Sequence, residues 1–238
     1  MKQIAKLKTL VLSMAMAGSS LAVLAPATVQ AGVTGNVGLV SQYIFRGAPQ
    51  SAGAAAQAGL DYEHESGAYL GLWASDVDDK ATGANELEYD IYGGYETELS
   101  GVTLGAGFTL YRYTQEEFDT PYDEVNLWAG YGPFTFTYDI GQNKDAAADG
   151  GDIDYSVMTL SAEYNGMYAL YGMGSDFMGE DTDHSWIELG YGAEVAPGTD
   201  VSIALINSSK EGSGYSKDGS DKANTMMVVG FTKTFDIM

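Results

Sequence analysis

One stretch, residues 87–112, constrains the fold of this chain most, because its side chains alternate through two strands joined by a tight turn. A period of two residues is typical of a β-strand, whose successive side chains point to opposite faces. One face of the predicted hairpin is apolar and carries Leu87, Tyr89, Ile91, Tyr95, Val102, Leu104, Ala106, Phe108 and Leu110. The other face is mostly polar, with Glu88, Asp90, Tyr92 and Glu96 in its first strand. Alternation predicts a two-sided hairpin but does not say which face meets water.

Similar alternating segments of about ten residues recur along the rest of the chain, and about ten is the length that a tilted strand needs to cross a bilayer. Together with the two strands of the hairpin they make about twelve: 36–46, 56–63, 69–75, 123–132, 134–141, 154–164, 167–176, 185–195, 201–207 and 224–237. No stretch outside the N-terminus resembles an apolar helix, so a role in the membrane would have to use strands.

The connections between these segments alternate in length. The short ones, at 64–67, 98–101, 132–133, 165–166 and 196–200, contain the Gly, Pro or Asn that tight turns favour. The others are longer and are centred on 47–55, 77–86, 114–122, 143–153, 177–184 and 208–223. Short turns on one side and long loops on the other are typical of a transmembrane antiparallel up-and-down β-barrel with both termini in the periplasm.

The N-terminus predicts export. Lys2, Lys6 and Lys8 precede an apolar run over 10–24 and a small-residue ending at Ala31, so residues 1–31 read as a secretory signal peptide and residues 32–238 as the barrel. An uncleaved membrane helix is the alternative, but Ser and Gly interrupt the run.

Composition excludes several classes of function. After cleavage, eight basic residues remain against 33 acidic ones, a formal charge of −25, so we expect no binding to nucleic acid. Cysteine is absent, which excludes disulfides and thiolate metal sites.

Barrel size indicates which face is wet, since about twelve strands enclose more space than a close-packed apolar core would fill. We therefore expect the apolar face to meet lipid and the polar face to line a pore. The predicted pore-lining acids are Glu88, Asp90, Glu96, Asp139, Glu163, Glu188 and Glu194. The three tryptophans, Trp73, Trp128 and Trp186, also fall on the polar face, or at least off the clearest apolar stripes. They either line the lumen and offer flat faces to a sugar or an aromatic solute, or simply fill and narrow the barrel.

Acids are also concentrated in the long loops, where they either form a negative mouth that favours cations or only a solvated acidic surface. Asp149 to Asp154 could hold calcium, although the spacing lacks a closing Glu. Divalent ions could otherwise bridge the loop acids to lipopolysaccharide.

The last strand alternates as Met227, Val229, Phe231, Lys233 and Phe235. It is similar to the C-terminal signal by which the barrel-assembly machinery recognises outer-membrane barrels, with Phe231 and Phe235 as its aromatics. Three further residues, 236–238, run past the terminal aromatic that such signals usually show.

The opening segment 35–47, GNVGLVSQYIFRG, followed by Gln50 and Ser51, resembles the N-terminal signature of the TorF-like porin family, and the match continues through 59–62, 71–75 and 88–95. Gln42 and Ala48-Pro49 depart from the pattern that we expect at the loop edge. The resemblance implies an outer-membrane β-barrel with a pore function and supplies no catalytic residues.

Catalysis has little support in the sequence. His64 and His184 lack an accompanying nucleophile and orienting acid, and no G-x-S-x-G elbow is present. We therefore expect a non-enzymatic porin-like channel without cofactors, passing small hydrophilic solutes by diffusion and preferring cations. The alternatives are a plugged structural or adhesive barrel that acts through its acidic surface loops, and a soluble periplasmic β-sandwich.

Overall fold

The computed structural model describes residues 31–78, 85–114, 120–146, 150–209 and 224–238. Within these ranges the chain forms twelve long strands and two short ones. The long strands are β1 (Gly32–Val40), β4 (Ala55–Glu63), β5 (Ala68–Asp78), β6 (Asn85–Leu99), β7 (Val102–Tyr113), β8 (Tyr122–Tyr131), β9 (Phe134–Asn143), β10 (Ile153–Tyr164), β11 (Met167–Ser175), β12 (Asp183–Ala196), β13 (Thr199–Ser208) and β14 (Asn224–Asp236). The short strands, β2 (Ile44–Phe45) and β3 (Ala48–Pro49), pair only with each other.

The twelve long strands close into one antiparallel barrel in chain order. The ring is completed by β1, whose Val37 pairs with Ala58 of β4 on one side and with Lys233 of β14 on the other. Closure leaves no unpaired strand edge in the wall, which is the condition for a sheet to lie in a bilayer. The predicted fold class and strand number are confirmed.

The two ends of the barrel differ as the spacing of turns predicts. At one end, the turn end, neighbouring strands are joined by two-residue connections such as Ser100-Gly101 and Asn165-Gly166. All four of these residues have positive φ, between 52° and 81°, which suits the twist of a two-residue hairpin. At the opposite end, the loop end, the connections are longer, and parts of them lie outside the described residues. Residues 1–30, which hold most of the predicted signal peptide, also lie outside them.

The alternation assigns one face of each strand to the outside and one to the lumen. Leu104, Phe136 and Leu189 point outward and are 42%, 45% and 55% exposed, while Glu88 and Asp139 point inward. No helix with the length and apolar character needed to cross a membrane occurs in the described ranges.

The predicted first strand, residues 36–46, is wrong in its second half. In that strand Val37, Leu39, Tyr43 and Phe45 would share the apolar face, so all four are predicted to face lipid. The chain instead leaves the wall after Val40, and Tyr43 and Phe45 are buried inside the barrel. Their alternation belongs instead to the small β2–β3 hairpin, since a period of two does not say which sheet a strand joins. We call residues 41–54 the plug hairpin.

Candidate functional site

The plug hairpin is stiffened by its own hydrogen bonds. The Tyr43 N–H donates to Ser51 Oγ at 2.8 Å, and the Gln50 N–H donates to the Tyr43 carbonyl at 2.8 Å. Its tip is a two-residue turn, Arg46-Gly47, with φ of 49° and 80°. The tip therefore projects into the lumen as a rigid unit that carries one charged side chain.

Arg46 is the charge at this tip, and it is 2% exposed. Its guanidinium donates to both carboxylate oxygens of Glu124 on β8, at 2.7 and 2.9 Å, and to Asp139 on β9 at 2.9 Å. A bidentate arginine–carboxylate pair is a strong and geometrically specific contact. The hairpin tip is thus fixed to one sector of the barrel wall.

The two carboxylates have further donors of their own. Tyr155 Oη donates to Glu124 at 2.9 Å, and Asn126 Nδ2 donates to Glu124 at 2.6 Å and to Asp139 at 3.0 Å. Buried charges are tolerated when they are both paired and hydrogen-bonded. The acids are thereby held in place independently of the guanidinium.

Aromatic rings complete the surroundings of the guanidinium. Its central carbon lies 4.8 Å from the centre of the Phe45 ring and 4.9 Å from that of Phe177, which belongs to the loop between β11 and β12. The His184 ring stacks on Phe177 at 5.6 Å and on Trp186 at 5.2 Å, and His184 Nε2 lies 3.2 Å from the Arg46 carbonyl oxygen. Cation–π contact strengthens in such dry surroundings.

A second contact joins the hairpin to a neighbouring sector of the wall, two strands from β8. Tyr43 Oη donates to Glu88 on β6 at 2.7 Å, and the Tyr43 ring packs edge-on against Trp73 at 5.4 Å. Next to it, Asp90 Oδ1 and Trp73 Nε1 are buried and have no hydrogen-bond partner among the described residues. The wall beside the hairpin therefore keeps polar groups that the hairpin does not satisfy.

The hairpin and the wall together close the barrel near the loop end. Each of the twelve wall strands contributes a lumen-facing side chain that is less than 9% exposed, and we call this ring the belt. One such residue per strand, from β1 to β14, is Val40, Ala55, Ser75, Glu88, Tyr111, Glu124, Asp139, Val157, Leu170, Trp186, Ile206 and Val228. Because these twelve side chains are buried, the lumen is filled at this level.

The lumen is open towards the turn end, and we call this part the chamber. Most of its lumen-facing residues are half-buried or exposed, and they include six carboxyl groups: Asp61, Glu63, Glu96, Glu163, Glu194 and Asp200. Trp128 Nε1 donates to Glu96 at 2.7 Å, and Tyr92 Oη donates to Asp61. Arg46 is the only Lys or Arg of the described residues that faces the lumen, so the chamber wall is acidic.

Glycines keep the lumen aromatics flat against the wall. Trp128 pairs across the strands with Gly105, and a Cβ built on Gly105 would lie 1.9 Å from the Trp128 ring. The same arrangement relates Tyr92 to Gly71, Tyr168 to Gly190, Tyr155 to Gly141 and Trp186 to Gly172. Close approach of this kind is a known reason for glycine inside a strand, and here it keeps large rings out of the centre of the barrel.

All ten predicted pore-lining residues lie on the lumen side of the wall. Glu88, Asp90, Asp139, Glu188 and Trp186 are buried in the belt, Trp73 lies beside the belt, and Glu96, Glu163, Glu194 and Trp128 lie in the chamber. That they line a conducting pore stays a prediction. Phe231 and Phe235 face outward on β14, and their part in an insertion signal is likewise a prediction.

Sequence reasoning missed the centre of the site, which is Arg46. The available signal was Arg46, the one charged residue of the predicted strand 36–46, which is followed by Gly47 and flanked with it by two apolar dipeptides. Glu124 is the second residue of the predicted strand 123–132, at the edge of an acidic loop, and nothing in the sequence indicates that it is buried beneath Arg46.

The predicted calcium segment is described only in part, because Asp149 lies outside the described residues. Asp152 accepts from the Asp145 N–H at 3.1 Å and from Lys144 Nζ at 3.0 Å, and these two donors lower the pKa of the Asp152 carboxyl below its ordinary value. Asp154 accepts from Gln142 at 2.6 Å. In the described part of the chain no three His, Cys, Asp or Glu residues are grouped as a metal site, and calcium binding stays a prediction.

The sequence matches one protein family over almost its whole length. Residues 25–235 fit the sequence model of a family described as "Bacterial protein of unknown function (Gcw_chp)". No match was found among curated proteins. None of these comparisons names the TorF-like porins.

Solved structures share the barrel architecture at low sequence identity. The KdgM porin aligns with a TM-score of 0.51 and 9% identity, covering 85% of this chain and 99% of the porin chain. Outer membrane phospholipase A from Escherichia coli gives 0.49 and 9%, covering 84% and 92%, and OpdK from Pseudomonas aeruginosa with vanillate gives 0.39 and 16%, covering 87% and 65%. The first match shows a common fold, and we infer nothing from the other two.

Proposed function

The chain belongs to the Gcw_chp family of bacterial proteins of unknown function, and from this premise and the geometry above we propose that it is a porin-like outer-membrane channel for small hydrophilic solutes. The observation that carries the proposal is the closed barrel with a polar, acid-lined lumen and an apolar outer wall. In the state described here the plug hairpin closes the loop end.

The outer surface supports a location in a membrane. Exposed aromatic side chains face outward near the turn end, as expected for a girdle at the lipid–water interface: Tyr62, Tyr95, Tyr131, Phe134, Tyr164, Tyr191 and Phe235. Short turns lie on the periplasmic side of outer-membrane barrels. We therefore place the chamber towards the periplasm and the loops outside the cell.

Charge in the lumen supports a preference for cations. Six carboxyl groups line the chamber, and six more are buried near the loop end: Glu86, Glu88, Asp90, Glu124, Asp139 and Glu188. Arg46 is the single guanidinium set against them in the described ranges. Rings of acidic side chains raise the local concentration of cations in a pore.

Conduction requires the plug hairpin to move. A plug meant to stay in place is served better by apolar contacts, because replacing a buried ion pair by well-packed apolar residues is often neutral or stabilising. The plug hairpin does pack Ile44 and Phe45 against apolar residues of the wall. Arg46 and its two acids add a charged contact to this packing, and that contact loosens once the charge is compensated in another way.

The same closed belt favours a second candidate, the plugged barrel that acts only through its surface. On that reading the acidic loops bind lipopolysaccharide or a partner, and the lumen never conducts. Both candidates share the remaining proposals. These are export by the signal peptide, assembly by the barrel-assembly machinery, membership of the TorF-like porins, and the lack of catalysis and of nucleic-acid binding.

Planar-bilayer recordings test the channel function. We expect rare, short openings from the wild-type protein and frequent, larger steps from Arg46→Ala, with a reversal potential in a salt gradient that indicates cation preference. The matched control is Arg112→Ala, which removes a partly exposed arginine paired with Asp123 at 2.6 Å outside the lumen and should behave as wild type. If folded Arg46→Ala gives no single-channel steps, the plugged barrel is correct, and anion selectivity would exclude the cation preference.

A further inference from the structure

The backbone at the hairpin tip does not explain why the tip carries an arginine. The first position of a two-residue turn with positive φ favours Gly, Asn or Asp, because a side chain with a Cβ is strained there. Arg46 occupies it with a φ of 49°. Outliers of this kind persist where the surroundings require them, so the reason for Arg46 lies in what its side chain contacts.

The side-chain contacts amount to a complete receptor for a planar cation. Glu124 takes two N–H donors of the guanidinium in a bidentate pair, Asp139 takes a third contact, and Phe177 lies 4.9 Å from its central carbon. Glu124 and Asp139 come from the wall, and Phe177 from another loop. The receptor is thus assembled without the plug hairpin, which supplies only Arg46 and the Phe45 ring.

The acids of the belt exceed what one guanidinium neutralises. A second observation, independent of Arg46, is the buried Asp90 oxygen without a hydrogen-bond partner among the described residues. Asp90 is 8% exposed and pairs across the strands with Tyr111, whose hydroxyl donates to Glu124 at 3.4 Å. Unsatisfied buried carboxylates are costly, and this one lies on β6, two strands from Glu124, in the same sector of the wall.

We propose that Glu124, Asp139 and Phe177 form a binding site for solutes that carry a guanidinium group, and that Arg46 occupies this site as a tethered surrogate in the closed state. The inference rests on the proposed channel function for its biological meaning. A free guanidinium compound competes with Arg46 for the same oxygens and so releases the plug hairpin.

Binding is tested without any current. Arg46→Gln keeps most of the side-chain length but lacks the charge, and the folded variant is heated with methylguanidinium chloride or with sodium chloride at equal ionic strength. A ligand that binds only the folded state raises the melting temperature, and we expect a rise of about 2 to 4 °C with methylguanidinium chloride. The double variant Arg46→Gln, Glu124→Gln should lose this shift, and Arg112→Gln should show none.

Competition is tested in a protein that keeps Arg46. The chain has no cysteine, so Ile44→Cys places a single thiol in the plug hairpin at a side chain that is 0% exposed. We expect methylguanidinium to accelerate labelling of this thiol severalfold, whereas sodium chloride at the same ionic strength leaves it slow. If Arg46→Gln does not fold, this labelling experiment alone tests whether the site binds a guanidinium group.

Equal effects of the two salts on melting and on labelling would overturn the inference. That outcome is separate from a failure of the channel proposal. If the barrel binds methylguanidinium but never conducts, the binding site stands and the channel function is wrong. If it conducts but does not bind methylguanidinium, the channel function stands and the binding site is wrong.

Discussion

The belt and the chamber are made by the same twelve strands, yet their carboxyl groups have different surroundings. In the belt, Glu124 and Glu88 are 3% and 1% exposed and accept hydrogen bonds from the plug hairpin. In the chamber, Glu96 and Glu163 are half-buried and lie within reach of solvent. The pattern of polar side chains is alike in both halves. The difference therefore comes from the plug hairpin, which folds into the belt and not into the chamber.

This contrast shows that a lumen-facing acid is not the same as a pore-lining acid. Water satisfies a carboxylate in the chamber, whereas only protein groups can do so in the belt. Substitutions should therefore cost far more stability in the belt than in the chamber. Matched pairs of variants, one in each half, measure that difference.

The largest difference should come from the acid that holds Arg46. Glu124→Ala leaves a buried guanidinium with Asp139 as its remaining acid, and removing one partner of a buried pair costs about 3 to 5 kcal/mol. Glu163→Ala in the chamber should change the free energy of unfolding by less than about 0.5 kcal/mol. Urea unfolding of the protein in lipid vesicles, followed by fluorescence of its three tryptophans, measures both. Equal losses would mean that the belt is hydrated.

The next difference concerns two tyrosine hydroxyls that donate to acids. Tyr43→Phe deprives the buried Glu88 of its donor from the hairpin, at a cost of about 1.5 to 3 kcal/mol for a hydrogen bond to a charged group. Tyr92→Phe removes the bond to Asp61, where water can replace the hydroxyl, and should cost below about 1 kcal/mol. The same unfolding measurement applies, and a larger loss for Tyr92→Phe would contradict the assignment of the two halves.

Glycine substitutions compare the room around two tryptophans. A Cβ at residue 172 would lie 2.2 Å from the Trp186 ring, and the belt leaves no space for the ring to move, so Gly172→Ala should cost about 1 to 3 kcal/mol through overpacking. Gly105→Ala should cost less than about 1 kcal/mol, because Trp128 can swing into the chamber. Tryptophan emission should shift to longer wavelength only for Gly105→Ala; a shift for both would show that the belt has free space.

The smallest effect is expected outside the lumen. Arg112 and Asp123 form an ion pair whose side chains are 28% and 40% exposed, and Arg112→Ala should cost about 0 to 1 kcal/mol. Raising the salt concentration should remove even this loss, since partly exposed pairs are screened. The loss caused by Glu124→Ala should persist in high salt, and equal salt dependence would show that Arg46 is reached by ions.

The sequence alone determined the barrel. Alternation in segments such as 87–99 and 102–113, turn residues such as Ser100-Gly101, and the segregation of short and long connections are all local signals. A strand and its faces are specified by residues next to each other in the chain, and for that reason the strand number and the lumen side of Glu88 or Trp128 could be predicted.

Only the tertiary structure decided what fills the lumen. Arg46 is 78 residues from Glu124 and 93 from Asp139, and no local period records that they meet. Tyr43 and Phe45 continue the alternation of β1 so well that they were predicted to face lipid, yet they enter the barrel. Whether a polar wall is wet depends on the segment that lies against it, and that segment comes from elsewhere in the chain.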